Sequence, residues 1–530
     1  MNRRDFMKLG LTAPLAGALS PSTAEASPKS ELKQLPANPY APDTLPYFGA
    51  RTALVLGGGL AGMSAALELA ERGYAVTLRE KGSVLGGRLA TPRLHTSQGE
   101  FNVEHGLHMW FDNYHNFKDI RNRLGINHHF RDYEEVFTMY RDYKPEILKS
   151  EPPIYPLNLA NLLMKSPNMN LFSAFKQLKM MPPILGYNHD KVWGQFDDIT
   201  FDEWAGKNVS KAFYDLYLAP AASVTLNDPK KISAAEMIHF MHMYFMGQPK
   251  AMCREITVQD HATAVLNPWR DRLLDLGVDI QLDRAVPGLR FAEGRALGEI
   301  NSTEVFDHVV CSLDIPGLKF VLGNSVSLDE TSASAVKDLQ SQAVALDVAP
   351  PYKVIRLWFD KQADPSRYDI LETPQHKPIN VVAQFHLMEE ESHLWAKETG
   401  GSIMELHLYS NWELAGLSDE QIFPAVRNTF LEILPEMWDA NVLDYTVGSY
   451  HNFTSFECGQ AAIRPMADTA KKMGISNMGL AGDWVHTAYP SALMERAVST
   501  GREAANLVLY SDKIKAAPVT MTSNYGPGII

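Results

Sequence analysis

The sequence predicts an α/β protein in which a Rossmann-like dinucleotide-binding domain is interleaved with an α+β substrate domain. Three observations carry this. A strand–turn–helix–strand unit with glycines at fixed spacing stands near the start of the chain. Two more strand-bearing blocks lie far downstream, near Leu274–Leu313 and Asn477–Leu509. Two long stretches separate these blocks, and they supply the second domain.

The first unit opens with Thr52–Leu56, an apolar run long enough for a buried parallel strand. Gly57, Gly59 and Gly62 follow as Gly-x-Gly-x-x-Gly, with Leu60 and Ala61 inside the turn. This pattern makes the tight turn, lets backbone approach a pyrophosphate, and lets the helix sit close on the strand. Ala61–Arg72 then reads as a helix whose first amides point at phosphates. Ala75–Leu78 is the next strand; Glu80 at its end suits ribose hydroxyls, and Lys81 follows. Gly86-Gly87-Arg88 comes next. Its guanidinium can sit bidentate on a diphosphate, and the two glycines let the chain pass close by. Nicotinamide domains do not normally carry this extension, so the expected cofactor is FAD.

In the second block, Gly277–Leu282 and Phe306–Ser312 read as strands, with Val286 between them as a cofactor contact. The third block has a strand and turn, Gly479–Trp484, that brings Asp483 to the ribityl and phosphate region. Gly482 makes that turn. A helix starting near Ser491 then aims its first amides, around Ala492 and Met494, at the flavin or its phosphates. The expected division assigns 50–119, 261–319 and 441–512 to the FAD domain, and 120–260 and 320–440 to the substrate domain. Residues 513–530 form a tail.

The N-terminus reads as a targeting segment. Asn2-Arg3-Arg4-Asp5-Phe6-Met7-Lys8 looks like a twin-arginine export signal, followed by an apolar stretch over Leu9–Leu19 and small residues at Ala24-Glu25-Ala26. Residues 1–26 are expected to be a signal peptide, 27–49 a leader, and the destination the periplasm or beyond, with membrane association open. Hydrophobic residues make up 45% and charged residues 21% of the 530, which permits a sizeable core. A net charge of −13 argues against a nucleic-acid partner. Three cysteines are too few and too scattered for a disulfide framework. The 17 histidines show no metal-ligand spacing, so no metal is expected.

The Val55–Arg88 pattern resembles the FAD-binding start of the flavin amine oxidase and carotenoid desaturase superfamily. Glu104-His105-Gly106-Leu107-His108-Met109-Trp110, continuing to Asn116, is similar to a segment of plant-type phytoene and zeta-carotene desaturases. Pro156-Leu157-Asn158, Phe201–Trp204, Leu357–Asp360, Gly401–His407, Arg464-Pro465 and the closing run from Leu480 resemble further landmarks of that group. The resemblance spans about 50–510. It implies a glutathione-reductase/amine-oxidase type of FAD domain, non-covalent FAD, and removal of two hydrogens from an apolar, isoprenoid-like substrate. Electrons would pass to a quinone or to oxygen. Gly106, Leu107 and His108 would run beside the flavin. The same fold hosts other chemistries. An exported amine or amino-acid oxidase, an isomerase and a non-catalytic flavin carrier stay open.

Four residues are catalytic candidates. His108 follows the glycine turn and either positions the cofactor, shuttles a proton, or is structural. Lys353 begins the apolar strand Tyr352–Phe359, where amine oxidases place a lysine near the flavin; an ordinary strand-end lysine is the other reading. Arg356 is a charge inside that strand and needs an acid partner or a cavity. Tyr489 precedes the last helix and either lines the substrate side or packs. Two apolar segments complete the reading. Ile154–Leu185, with Lys165, Lys176 and Lys179, rests on a membrane surface or caps the substrate domain. Ala234–Gly247, rich in Met and aromatics, lines a pocket or fills core.

Overall fold

The computed structural model describes residues 41–154, 157–169 and 181–526. The twin-arginine segment and most of the leader lie outside them, as do Tyr155, Pro156 and 170–180 of the lysine-bearing apolar segment.

Five short strands form a parallel sheet in the order Asp279–Gln281, Ala75–Arg79, Thr52–Leu56, His308–Cys311, Met478–Leu480. Thr52–Leu56 lies at the centre with four of its five residues buried, as its unbroken apolar run requires. The three sequence blocks therefore close on one sheet. The helix Leu60–Ala70 leaves the central strand through the glycine turn and is buried along its whole length. It packs against the helix Leu493–Ser511, and Ser64 Oγ donates to the Val498 carbonyl at 2.9 Å.

That packing depends on two missing side chains. A Cβ on Gly62 would stand 1.9 Å from the Gly57 carbonyl oxygen. A Cβ on Gly501 would stand 2.2 Å from the Ala61 carbonyl oxygen, on the facing helix. Gly501→Ala is therefore expected to force the two helices apart and cost about 2–3 kcal/mol. A thermal unfolding midpoint equal to that of the parent protein would contradict this helix contact.

The second sheet has seven strands, in the order Val442–Tyr450, Tyr352–Phe359, Ser402–Leu408, Val381–Gln384, Ile370–Glu372, Glu135–Thr138, Glu146–Lys149. It is antiparallel except between Ile370–Glu372 and Glu135–Thr138. Alternation decides its two faces. Ile355, Leu357 and Phe359 join Met404, Leu406 and Leu408 in a core shared with Ile422, Val426 and Phe430 of the helix Asp419–Ile433. Tyr352, Val354 and Arg356, with Glu405 and His407, turn the opposite way, into a cavity.

One boundary of the expected division changes, and both flanking segments are docked. Val442–Tyr450, assigned to the FAD domain from the sequence, is an edge strand of the seven-stranded sheet. It pairs antiparallel with Tyr352–Phe359 and is half-buried along most of its length. The end of the leader is docked: Leu45 and Gly49 amides donate to the Arg72 and Gly73 carbonyls at 2.9 and 2.8 Å. The tail is also tied down through residue 526, because Asn116 accepts from the Thr520 amide at 2.9 Å and the His242 ring meets the Ser523 carbonyl at 2.8 Å.

Candidate active site

A cavity of about 1340 Å³ runs from the parallel sheet to the seven-stranded one. That exceeds the ~300–1,000 Å³ typical of a single ligand pocket, and it has room for a cofactor and a substrate together.

At one end the cavity is built from backbone and charge. Gly57, Gly59, Leu60, Ala61, Glu80, Lys81, Gly86, Gly87 and Arg88 line it, together with Val286, Gly482, Asp483 and Met494. Two helices start there, at Leu60 and Leu493, and the first carries no acidic residue in its opening turn. Both therefore present unpaired amides and a partial positive charge to the cavity. Arg88 Nη2 lies 2.5 Å from Asp483 Oδ1, and its guanidinium sits 4.6 Å from the centre of the Phe453 ring. Its other terminal nitrogen, Nη1, is buried with no hydrogen-bond partner among the described residues. Burial alone would raise the Asp483 carboxyl, but the Arg88 charge and hydrogen bond outweigh it and hold it below the usual carboxylate range. Two helix starts and an orphaned guanidinium nitrogen call for an anion, and a diphosphate fits.

Glu80 stands where a ribose would be met, but it is already engaged. Its Oε2 accepts from the Gly58 amide and its Oε1 from the Gly82 amide, each at 2.7 Å. A carboxylate has about four acceptor sites, so two stay available to hydroxyls. Gly62 and Ala492 do not line the cavity. Gly62 stands behind the turn as a packing position, and Ala492 is the residue that starts the second helix.

Further in, the turn carrying Gly106, Leu107 and His108 lies against the seven-stranded sheet. A Cβ on Gly106 would come within 3.2 Å of His407 Cε1 and 3.4 Å of Val354 Cγ2, so only glycine allows this approach without displacement. His108 lines the cavity, and its Nδ1 lies 2.7 Å from the Gly106 carbonyl. Burial first, and the neighbouring His261 second, push its pKa down to about 3. A neutral ring tied to its own turn fits the positioning role, not the proton shuttle.

Arg356 has the acid partner that the sequence demanded. Its Nε donates to Glu405 Oε1 at 2.8 Å and its Nη1 to the Asn102 carbonyl at 3.0 Å. Glu389 Oε2 is 3.7 Å from Nη1, and the Phe385 ring centre lies 4.2 Å from the guanidinium. Arg356 outweighs burial at Glu405 and holds that carboxyl low. Burial dominates at Glu389, pushed up to about 7, and at Glu104, raised well above its ordinary value.

The other two catalytic candidates are displaced from the cavity. Lys353 lies on the opposite face of its strand from Arg356, and its Nζ donates to Ser449 Oγ at 2.6 Å. Three residues of separation in a strand reverse the direction of the side chain. Tyr489 is 1% exposed and is not among the residues that line the cavity.

The sequence reading passed over several cavity residues. His105 stacks on Tyr450 with ring centres 3.4 Å apart, and its Nε2 lies 3.1 Å from the Tyr352 hydroxyl. Glu405, His407 and Tyr409 form a polar row on the same wall. The available signal was polar residues at every second position of an otherwise apolar strand, Met404–Tyr409, which marks a face turned to a site. Beyond them the walls are apolar, with Val103, Leu148 and Leu163 joined by Phe240, Met241 and Met246 of the Met-rich segment.

The fold and this site define an FAD-dependent oxidoreductase. Residues 60–509 match the model of the flavin containing amine oxidoreductase family, and the chain belongs to that family. It is 25% identical to the carotenoid phi-ring synthase of Chlorobaculum tepidum, over 90% of this chain and 91% of the relative. It is 22% identical to the 15-cis-phytoene desaturase of Arabidopsis thaliana, over 88% and 81%. Among solved structures, putrescine oxidase bound to putrescine superposes with a TM-score of 0.61 at 12% identity, over 87% of this chain and 99% of that one.

Proposed function

We propose that this protein dehydrogenates a carotenoid-like polyene at its ring end. Bound FAD supplies an acceptor for a hydride and its two electrons. The observation that carries the reading is continuity: one cavity joins the cofactor end to a chamber walled by Leu, Met, Phe and Val. Such a chamber desolvates a hydrocarbon without needing to pair polar atoms. The likeness to a carotenoid phi-ring synthase and to phytoene desaturases supports an isoprenoid substrate, and the former supports the ring.

An amine substrate would need a lysine directed at the cofactor and a cage for an ammonium group. Lys353 lies on the wrong face for the first. Helix Leu157–Lys165 supports a membrane-facing mouth: Leu159 and Leu163 line the cavity while Leu157 and Met164 are 39% and 55% exposed. No helix among the described residues is long and apolar enough to cross a bilayer. On this reading the protein rests on a membrane surface and draws its substrate from it. Export through the twin-arginine route, and a quinone or oxygen as final acceptor, complete the proposal.

The test is anaerobic mixing of the FAD-loaded protein with β-carotene in detergent, followed by flavin absorbance. Bleaching by β-carotene, and none by putrescine or benzylamine, is expected. Bleaching by the amines alone would overturn the reading.

A further inference from the structure

The sheet wall of the chamber carries a row of polar side chains. Glu405, His407 and Tyr409 alternate along one strand and its continuation, so all three face the cavity. Each touches the next. Glu405 Oε2 lies 3.3 Å from His407 Nε2, and the Tyr409 hydroxyl lies 3.1 Å from His407 Nδ1. The row is anchored at both ends. Arg356 holds Glu405, and the side chain and amide of Asn380 bond to the Tyr409 amide and the His407 carbonyl at 2.9 and 2.8 Å. Glu405 and His407 are 0% and 2% exposed. Neither Glu405 Oε2 nor His407 Nε2 makes a well-aligned hydrogen bond among the described residues. Burying an ionised carboxylate beside an imidazole is costly, and a wall meant only to hold hydrocarbon needs neither.

We propose that Tyr409 is the proton acceptor of this chamber, with His407 taking the phenol's own proton and Glu405 offsetting the charge that then forms on the imidazole. The proposal rests on the dehydrogenase reading above and adds the path of the second hydrogen. Bound FAD would supply the acceptor for the hydride and two electrons that one substrate C–H bond gives up. The neighbouring carbon gives its proton to Tyr409 Oη, and the electron pair left behind becomes the new C=C bond. The hydroxyl proton of Tyr409 moves to His407 Nδ1. The substrate thus loses one hydride and one proton, and no other reactant is consumed.

The order hydroxyl, imidazole, carboxylate follows the logic of an activated nucleophile, used here for a proton instead of a bond to carbon. Its charges are set correctly. Glu405 starts ionised because Arg356 outweighs its burial. Tyr409 starts as a neutral phenol, because burial first and the charge of Glu372 second raise it. Loss of hydride leaves the adjacent C–H strongly acidic, so a weak base backed by an imidazole suffices. Tyr409 is the catalytic residue, since it would touch the reacting atoms. His407, Glu405 and Arg356 are positioning residues.

Tyr409→Phe removes one oxygen and keeps the shape of the wall. In the full-length, FAD-loaded protein mixed anaerobically with β-carotene, its limiting rate of flavin bleaching should fall about 100-fold or more. The half-saturating β-carotene concentration and the FAD content should stay close to those of the parent protein. Glu405→Gln should lower the same limiting rate with little change in half-saturation, and Glu405→Asp should recover part of it. If Tyr409→Phe does not accumulate as folded protein, His407→Gln carries the test with the same expected split. Parent-like bleaching in Tyr409→Phe or His407→Gln would overturn this proposal and leave the dehydrogenase reading standing. Failure of the parent protein to bleach with β-carotene would count against the reading itself.

Discussion

Arg356→Leu is expected to destabilise the protein by about 3–5 kcal/mol, the cost of removing one partner from a buried ion pair. Arg356 is 1% exposed and Glu405 not at all, so water cannot replace the lost partner. Glu389 and Glu104 face the same guanidinium, and burial raises both of their carboxyls, so Glu405 is the partner held ionised. The pH dependence follows from Glu405. Its folded-state pKa is lowered, so the pair's contribution is present above the ordinary carboxylate value of 4.5 and fades as pH falls toward the folded value. The deficit of Arg356→Leu should therefore be largest near neutral pH and shrink below about pH 4.5. Urea midpoints of parent and variant across that range measure it. A deficit independent of pH would show that the arginine acts through packing alone. Arg356→Met combined with Glu405→Met should cost less than Arg356→Leu, since the ionised Glu405 is no longer left unpaired.

Arg88→Ala is expected to weaken FAD retention by about 10- to 100-fold, as a charge-assisted contact is worth ~1.5–3 kcal/mol. It also strips Asp483 of the group that keeps it ionised. Arg88→Lys should recover only part of the loss, because an ammonium cannot reproduce the planar fork. Glu80→Gln should have a smaller effect, weakening two charge-assisted bonds to the Gly58 and Gly82 amides. The ratio of flavin to protein after gel filtration reads all three. Cofactor content unchanged in Arg88→Ala would contradict the assignment of Arg88 to the diphosphate.

The cofactor end of the site was readable in the chain because its parts are local. Gly57, Gly59, Gly62, Glu80 and Arg88 lie within about thirty residues and act through a single turn, helix start and strand end. Their spacing is the geometry. The distant Asp483, an acid after a strand and before a helix, is brought to Arg88 at that same end of the cavity. The substrate end was not readable in this way. Lys353 and Arg356 looked equivalent as charges in one apolar run, and strand alternation sends one to Ser449 and the other to Glu405. Tyr489 looked well placed beside the last helix, yet it is buried and does not line the cavity. The Met-rich segment left pocket and core open, and it serves both: Met237 and Met243 are fully buried while Met241 and Met246 also line the cavity.

The sequence alone determined the cofactor, the parallel sheet that carries it and the family, because these rest on short-range patterns with fixed periods. Tertiary structure decided the chemistry facing the substrate. Glu104, Arg356, Glu389 and Glu405 come from four separate stretches of chain, and each is ordinary in its own neighbourhood. Their charge states depend on burial and on one another. Those quantities exist only once the strands have paired in register, with Arg356 opposite Glu405 and Val354 opposite His407.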